Sequence, residues 1–200
     1  MTTSDTSKKS PRLVYRSRVF DAFEEEVRLP NGRRFTMSWI GHRPTVSIVP
    51  VNPEGKLVLI RQYRHATGGM LLETPAGTID RGSESAEACA QRELAEEAGF
   101  RAGTLFQLFE GYLVPGYGNE YMYFFLALDL VPATLPADED EYIEVMTASF
   151  DEASRMIREK KIVDVKTALG IQMARDYLSG ASAPAFPARS RAPSAVEDPS

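Results

Sequence analysis

Only one cysteine, Cys89, occurs in the 200 residues, so no disulfide can form within the chain and the fold does not depend on oxidation. An excess of basic charge is also missing. The formal net charge is −5, which gives no broad positive field for gripping a nucleic-acid backbone. An anionic substrate would have to be met locally, by arginines or by metal ions. No run approaches the roughly 20 apolar residues of a membrane span. The N-terminus is rich in Ser and Thr without an apolar stretch, so a secretory signal is not expected. These absences point to a cytoplasmic protein with neither membrane nor nucleic acid as partner. Histidine is scarce too: His42 and His65 stand alone, and neither is given a role. No internal repeat or interdomain linker is visible.

What is present is an ordinary globular composition, 43% hydrophobic and 26% charged, in a length that suits one domain with some residues to spare. The spare length falls at the ends. Residues 1–11 are polar, and residues 180–200 are rich in Pro, Ala and Ser with little to bury; both are expected to be disordered tails. An N-terminal β segment is expected over 12–42 and the main domain over 43–179.

The first half reads as strands. Candidate strands from Arg18 to Arg28 and from Arg33 to Ile40 flank Pro30-Asn31-Gly32, a hairpin signal. Two more, Thr45 to Val51 and Lys56 to Tyr63, flank the turn residues Asn52 to Gly55. A short apolar run, Met70 to Thr74, leads into Pro75-Ala76-Gly77. The pattern then changes. Glu84 to Ala98 is built of good helix formers and stops at Gly99. Strands are expected from Leu105 to Val114, Tyr121 to Leu130 and Tyr142 to Thr147, and helices from Phe150 to Lys160 and Lys166 to Tyr177. Many strands with few interspersed helices argue for an α+β fold.

The helix from Glu84 carries the most informative chemistry. At about 3.6 residues per turn, Glu93 and Glu97 share a face and Glu96 lies on its flank. Small residues (Ala86, Cys89 and Ala90) precede them on the same face, while the Leu94–Ala98 side is expected to pack into the core. Crowded carboxylates repel one another. They read either as a solvated acidic face or as ligands for a hard divalent cation, which favours carboxylate oxygen.

The surrounding residues decide between these. Gly77 and Glu84, followed by Arg92-Glu93-Leu94-Ala95-Glu96-Glu97-Ala98-Gly99-Phe100, closely resemble the signature of the Nudix hydrolases. The agreement covers Glu84, Arg92, Glu93, Leu94, Glu96, Glu97 and Gly99. One departure stands out: six residues separate Gly77 from Glu84 where the signature has five, which places an extra residue near Ser83, in a loop able to absorb it. The resemblance implies a Nudix α/β/α sandwich around a mixed sheet, preceded by an N-terminal antiparallel β segment. It implies Glu93 and Glu97 as the main metal ligands, with Glu96 assisting and the Ala76 carbonyl completing the site. Arg92 would hold the glutamates in place and counts, with Glu96, among the candidate catalytic residues. Mg²⁺ is the implied ion, with Mn²⁺ as a substitute.

Further residues resemble the ADP-ribose pyrophosphatases and their nucleotide-sugar relatives within this superfamily. Gln62-Tyr63-Arg64 precedes the signature and Glu73-Thr74-Pro75-Ala76-Gly77 opens it, with Thr74 where Leu is usual. Arg64 matches the position that contacts substrate phosphates. Arg61, three residues earlier and so on the other face of the strand, is expected to be structural. Val114-Pro115-Gly116-Tyr117-Gly118-Asn119-Glu120 is similar to the loop near the terminal sugar, which implies Pro115, Gly116 and Glu120 as substrate-binding residues. The acidic stretch before Ile143 and Val145 implies a general base at Glu139, with Glu141 second.

The implied reaction is hydrolysis of the pyrophosphate of a nucleoside diphosphate joined to another group, with ADP-ribose giving AMP and ribose 5-phosphate. Another nucleotide sugar or a capped nucleotide is the alternative substrate. From other classes come a non-catalytic nucleotide-binding Nudix domain, which would not need all three glutamates, and an interaction protein whose acidic helix faces solvent. The resemblance also implies a homodimer formed through the N-terminal strands, with Phe20, Phe23, Phe35 or Trp39 stacking on a purine in the partner's site.

Overall fold

Left-handed glycines close the turns of the first half, and capping side chains start the helices of the second. The structure is a computed structural model that describes residues 10–133, 135–136 and 142–181. The described residues divide into two compact units, one holding those up to Arg43 together with Tyr112–Tyr121, the other holding Pro44–Gly111 and those from Met122 onward.

The first unit is built on three strands, β1 (Arg12–Arg16), β2 (Asp21–Arg28) and β3 (Arg34–Gly41), antiparallel in the order β1-β2-β3. The β2–β3 register runs from Asp21 opposite Gly41 to Arg28 opposite Arg34. Gly32 closes the turn at φ +84°, a conformation open to glycine, and its N–H donates to the Leu29 carbonyl (2.8 Å). None of the strand residues is buried. The chain between Leu113 and Glu120 is tied to the end of β3 by backbone hydrogen bonds from Ile40 to the Tyr117 carbonyl (2.8 Å) and from Asn119 to the Ile40 carbonyl (3.1 Å).

The second unit contains β4 (Thr45–Pro50), β5 (Leu57–Arg64), β6 (Gly69–Glu73), β7 (Ala76–Thr78), α1 (Ala86–Glu97), most of β8 (Phe100–Tyr112) and β9 (Tyr121–Pro132), then β10 (Ile143–Ala148), α2 (Phe150–Arg158) and α3 (Val165–Leu178). One sheet has the order β7-β4-β9-β8 and is mixed, since β4 runs parallel to β9 and antiparallel to β7. The other is antiparallel, in the order β10-β5-β6. This is the α+β arrangement expected from the sequence. Val46, Ile48 and Val49 on β4, Leu57, Leu59 and Ile60 on β5, and Phe124, Phe125 and Leu126 on β9 are at most 1% exposed and form the core. Every residue of β4 is buried, as befits a strand covered on both faces.

Each α-helix among the described residues begins where a side chain can satisfy its first N–H groups. Ser85 accepts from the Ala88 N–H ahead of α1, Ser149 and Glu152 form a capping box on α2, and Asp164 accepts from the Thr167 N–H on α3. Beyond α1, Gly99 turns the chain at φ +75°. Two short strands depart from the sequence reading. β1 consists of five exposed residues and β7 of three, so neither carries an alternating pattern; β7 exists because Ser47 of β4 lies opposite Ala76. Thr74, the residue that replaces the usual Leu, is fully buried. Its hydroxyl lies 3.0 Å from Ser47 Oγ and 3.2 Å from Thr167 Oγ1, and its N–H donates to Thr167 Oγ1 (2.8 Å). A buried hydroxyl without partners would be costly; this trio supplies them. No helix among the described residues is long and apolar enough to cross a membrane.

Candidate active site

From Cys89 to Ala98, α1 and its cap have no exposed residue, because the helix packs on β4 and β7. Glu93 is 9% exposed and Glu97 5%. The acidic face is therefore not a solvated surface: the Leu94–Ala98 side enters the core as expected, and Cys89, Ala90, Glu93 and Glu97 are buried as well. Burying ionised carboxylates is unfavourable unless charge and hydrogen bonds compensate.

Arg92 supplies most of that compensation. Its Nε and Nη2 donate to the two oxygens of Glu84 (2.9 and 3.0 Å), its Nη1 to Glu93 Oε1 (2.6 Å) and Glu96 Oε2 (2.9 Å), and its Nη2 also to the Thr78 carbonyl (3.2 Å). Forked, charge-assisted contacts of this kind fix direction as well as supply energy. The hydrogen bond from Arg92 holds the Glu84 carboxyl below the usual carboxylate range, and the bond to Glu84 in turn raises the Arg92 guanidinium. Burial, together with the neighbouring Glu93 charge, pushes the Cys89 thiol up, so it stays protonated and serves as packing. The extra residue before Glu84 is absorbed by a turn in which the Glu84 N–H donates to the Arg81 carbonyl (3.1 Å) and Gly82 sits at φ +60°. Glu84 still reaches Arg92.

Two residues of β7 fit against the helix carboxylates. The Ala76 N–H donates to Glu97 Oε2 (2.9 Å). Gly77 faces Glu93 so closely that a Cβ there would lie 1.9 Å from the carboxyl carbon. The missing side chain is the space that Glu93 occupies. Glu84, Glu93, Glu96 and Glu97 thus gather on one helix and its approach, against the guanidiniums of Arg92 and Arg81. Hard oxygen donors with negative charge to spare suit Mg²⁺ or Mn²⁺. Among the described residues no three such side chains already converge as a closed cage. Glu96 instead offers one oxygen to Arg92 and the other to Arg81 (2.9 Å each).

Arg64 and Arg61 separate as expected from their spacing. Arg61 pairs across the sheet with Glu144 (3.2 Å) at an exposed position. Arg64 is gripped by Glu73, from Nε to Oε1 (2.8 Å) and from Nη2 to Oε2 (2.9 Å). Glu73 is 1% exposed and also receives Lys166 Nζ, which bonds Asp164 at the start of α3 (2.8 Å). Burial alone would raise the Glu73 carboxyl, but the Arg64 hydrogen bond and the Lys166 charge outweigh it and hold the carboxyl low. The sequence reading gave Glu73, Lys166 and Arg81 no roles. Glu73 stands out in the sequence only as the first residue of the stretch that opens the signature; Lys166 lies 93 residues further on and has no local signal.

Pro115, Gly116 and Glu120 lie in the first unit, in the loop tied to β3, where Leu113 N–H donates to the Glu120 carbonyl (3.1 Å). Phe23 and Trp39, in the same unit, stack on each other with ring centroids 4.6 Å apart. The candidate bases Glu139 and Glu141 lie outside the described residues.

Residues 41–166 match the NUDIX domain, well over half of the chain. An ADP-ribose pyrophosphatase of Bacillus subtilis (strain 168) is 34% identical over 161 residues, covering 80% of this chain and 86% of that protein. A GDP-mannose pyrophosphatase of Yersinia enterocolitica is 39% identical over 132 residues, 62% of this chain and 68% of that protein. Among solved structures, one described as an ADP compounds hydrolase superposes with a TM-score of 0.77 at 29% identity, covering 86% of this chain and 93% of that one. The chain belongs to the Nudix family and is a hydrolase with the fold of that family.

Two outcomes test this geometry. Gly77→Ala should displace only the flexible end of Glu93, so the protein should still fold, and any rise in Tm that Mg²⁺ gives the unaltered chain should shrink or vanish; scanning calorimetry with and without Mg²⁺ reads this. Glu73 titrates below its usual 4.5 when folded, so its contribution to stability is complete above that pH and lost as pH falls through the lower folded value. Glu73→Gln should therefore cost on the order of 3 kcal/mol near neutrality, as for breaking a buried ion pair, and make the acid limb of the stability–pH curve shallower. Urea titrations between pH 3 and 7 measure both.

Proposed function

We propose that this chain is a Mg²⁺-dependent pyrophosphatase that converts ADP-ribose and water to AMP and ribose 5-phosphate. The observation that carries the reading is the burial of Glu93 and Glu97 beside Gly77 and Ala76, which leaves hard carboxylate ligands with more negative charge than Arg92 and Arg81 neutralise. The names of the Bacillus subtilis relative and of the solved ADP compounds hydrolase favour an ADP-containing substrate. The Yersinia relative favours a second reading, hydrolysis of another nucleotide sugar. A silent nucleotide-binding domain would have no use for the complete set of glutamates.

In this reading Glu93 and Glu97 hold the metal, with Glu96 and the Ala76 carbonyl assisting, and Mn²⁺ can replace Mg²⁺. An ion held there would supply charge to offset the pyrophosphate and to acidify a water. Arg92 keeps the glutamates in register. Arg64, oriented by Glu73, meets a phosphate, and Pro115, Gly116 and Glu120 meet the terminal sugar. Glu139, or Glu141 next to it, takes the proton from the attacking water.

The working form is a cytoplasmic homodimer joined through residues 12–42. A three-stranded sheet with no buried residue needs an apolar partner surface. Leu13, Val14, Tyr15, Phe35 and Met37 are 40–57% exposed and would supply its half of that interface.

Formation of phosphomonoester products (AMP with ribose 5-phosphate from ADP-ribose), read through an added phosphatase, tests the substrate across ADP-ribose, GDP-mannose and dinucleoside polyphosphates; a preference for any of the others removes ADP-ribose. Glu93→Gln and Glu97→Gln should weaken Mg²⁺ binding and turnover together. Glu139→Gln should leave metal and substrate binding nearly intact while lowering kcat by roughly 10²–10⁴-fold. Loss at Glu141→Gln instead moves the base by two residues, and full activity in both variants removes it from this loop. Light scattering at micromolar concentration reads the dimer, and a monomer contradicts it.

A further inference from the structure

The segment between β7 and α1 is one residue longer than the family signature, and it sets Arg81 against Glu96. Both oxygens of Glu96 are thereby taken by guanidinium groups, Oε1 by Arg81 and Oε2 by Arg92. The two arginines are not equivalent. The Arg92 side chain is 11% exposed and bonds Glu84, Glu93 and the Thr78 carbonyl as well. The Arg81 side chain is 56% exposed; Glu96 is its one side-chain hydrogen-bond partner among the described residues, and its charge also helps hold the Glu84 carboxyl low. Arg81 is the contact that can open while the rest of the cluster stays in place.

The geometry points to Arg81 as an internal competitor of the divalent cation for Glu96. This rests on the metal site proposed above. Without the ion, Arg81 relieves the repulsion between Glu96 and the buried Glu93 and Glu97. With the ion, Glu96 can become a ligand once its Oε1 leaves Arg81, so breaking that contact is subtracted from the metal's affinity. Arg81 thus keeps the metal-free site folded and makes the metal exchangeable.

Mn²⁺ binding to the full chain, measured by isothermal titration calorimetry, tests this without reference to turnover. Removing a half-exposed ion pair of ordinary strength should tighten binding by about two- to fivefold in Arg81→Ala. Should that variant fold poorly by circular dichroism, Arg81→Gln carries the same expectation while keeping the length of the side chain. Asp80→Asn is the control for general electrostatics. It changes the charge of the same loop by one unit in the opposite sense, and Asp80 lies 3.8 Å from Arg92. A clear tightening in Arg81→Ala with a smaller change in Asp80→Asn upholds the competition. Unchanged or weaker binding in Arg81→Ala overturns it, as do equal and opposite shifts in the two variants, which would mark a field effect. Absence of Mn²⁺ binding in the wild-type protein would instead overturn the metal site itself, and the competition with it.

Discussion

Carboxylates crowded on one turn of a buried helix repel each other and resist leaving water, and the region around α1 is arranged to answer both problems. Arg92 does so with a single guanidinium. Its fork faces Glu84 while Nη1 reaches Glu93 and Glu96, so one side chain sets the direction of three carboxylates. The small residues of α1 belong to the same solution, because Cys89 and Ala90 let the helix come close to the strands beneath it. So does Gly77, whose missing side chain is filled by Glu93. Glu84, Glu93, Glu96 and Glu97 still outnumber Arg92 and Arg81 in this cluster.

A second charged assembly, centred on Glu73, follows the same logic with the signs reversed. One buried carboxylate draws in two cations from distant parts of the chain, and Asp164 shares Lys166 with it. The assembly joins β5 and β6 to the start of α3 and sets the direction of Arg64. Its members differ in exposure: Glu73 is sealed, whereas Arg64 is 37% exposed.

Local signals in the sequence carried most of the element order. Asn31-Gly32, Asn52 to Gly55 and Gly99 marked turns and ends, and the run of helix formers after Glu84 marked α1 to within two residues of its observed start. The elements that escaped, β1 and β7, are short and lack alternation; a strand of three residues is defined by its neighbour rather than by its own pattern. Among site residues, the grouping of Glu93, Glu96 and Glu97 was legible because helical spacing imposes it. Their burial was not, since it depends on Gly77 and Arg92 acting from outside that spacing. The links from Glu73 to Lys166 and from Arg81 to Glu96 are tertiary contacts between residues of ordinary surface type, and periodicity has no means of recording them.

The hydroxyl trio of Ser47, Thr74 and Thr167 has a consequence for how this chain can diverge from its relatives. Ser47 and Thr74 satisfy each other, while the Thr167 hydroxyl donates to Asp164 and accepts from the Thr74 N–H, across β4, the approach to β7 and α3. A step to the leucine usual before Pro75 would strand Ser47 and crowd a site shaped for polar atoms, although leucine alone would suit the interior better. The identity of residue 74 is tied to its neighbours, because leucine there would leave the fully buried Ser47 hydroxyl without its partner.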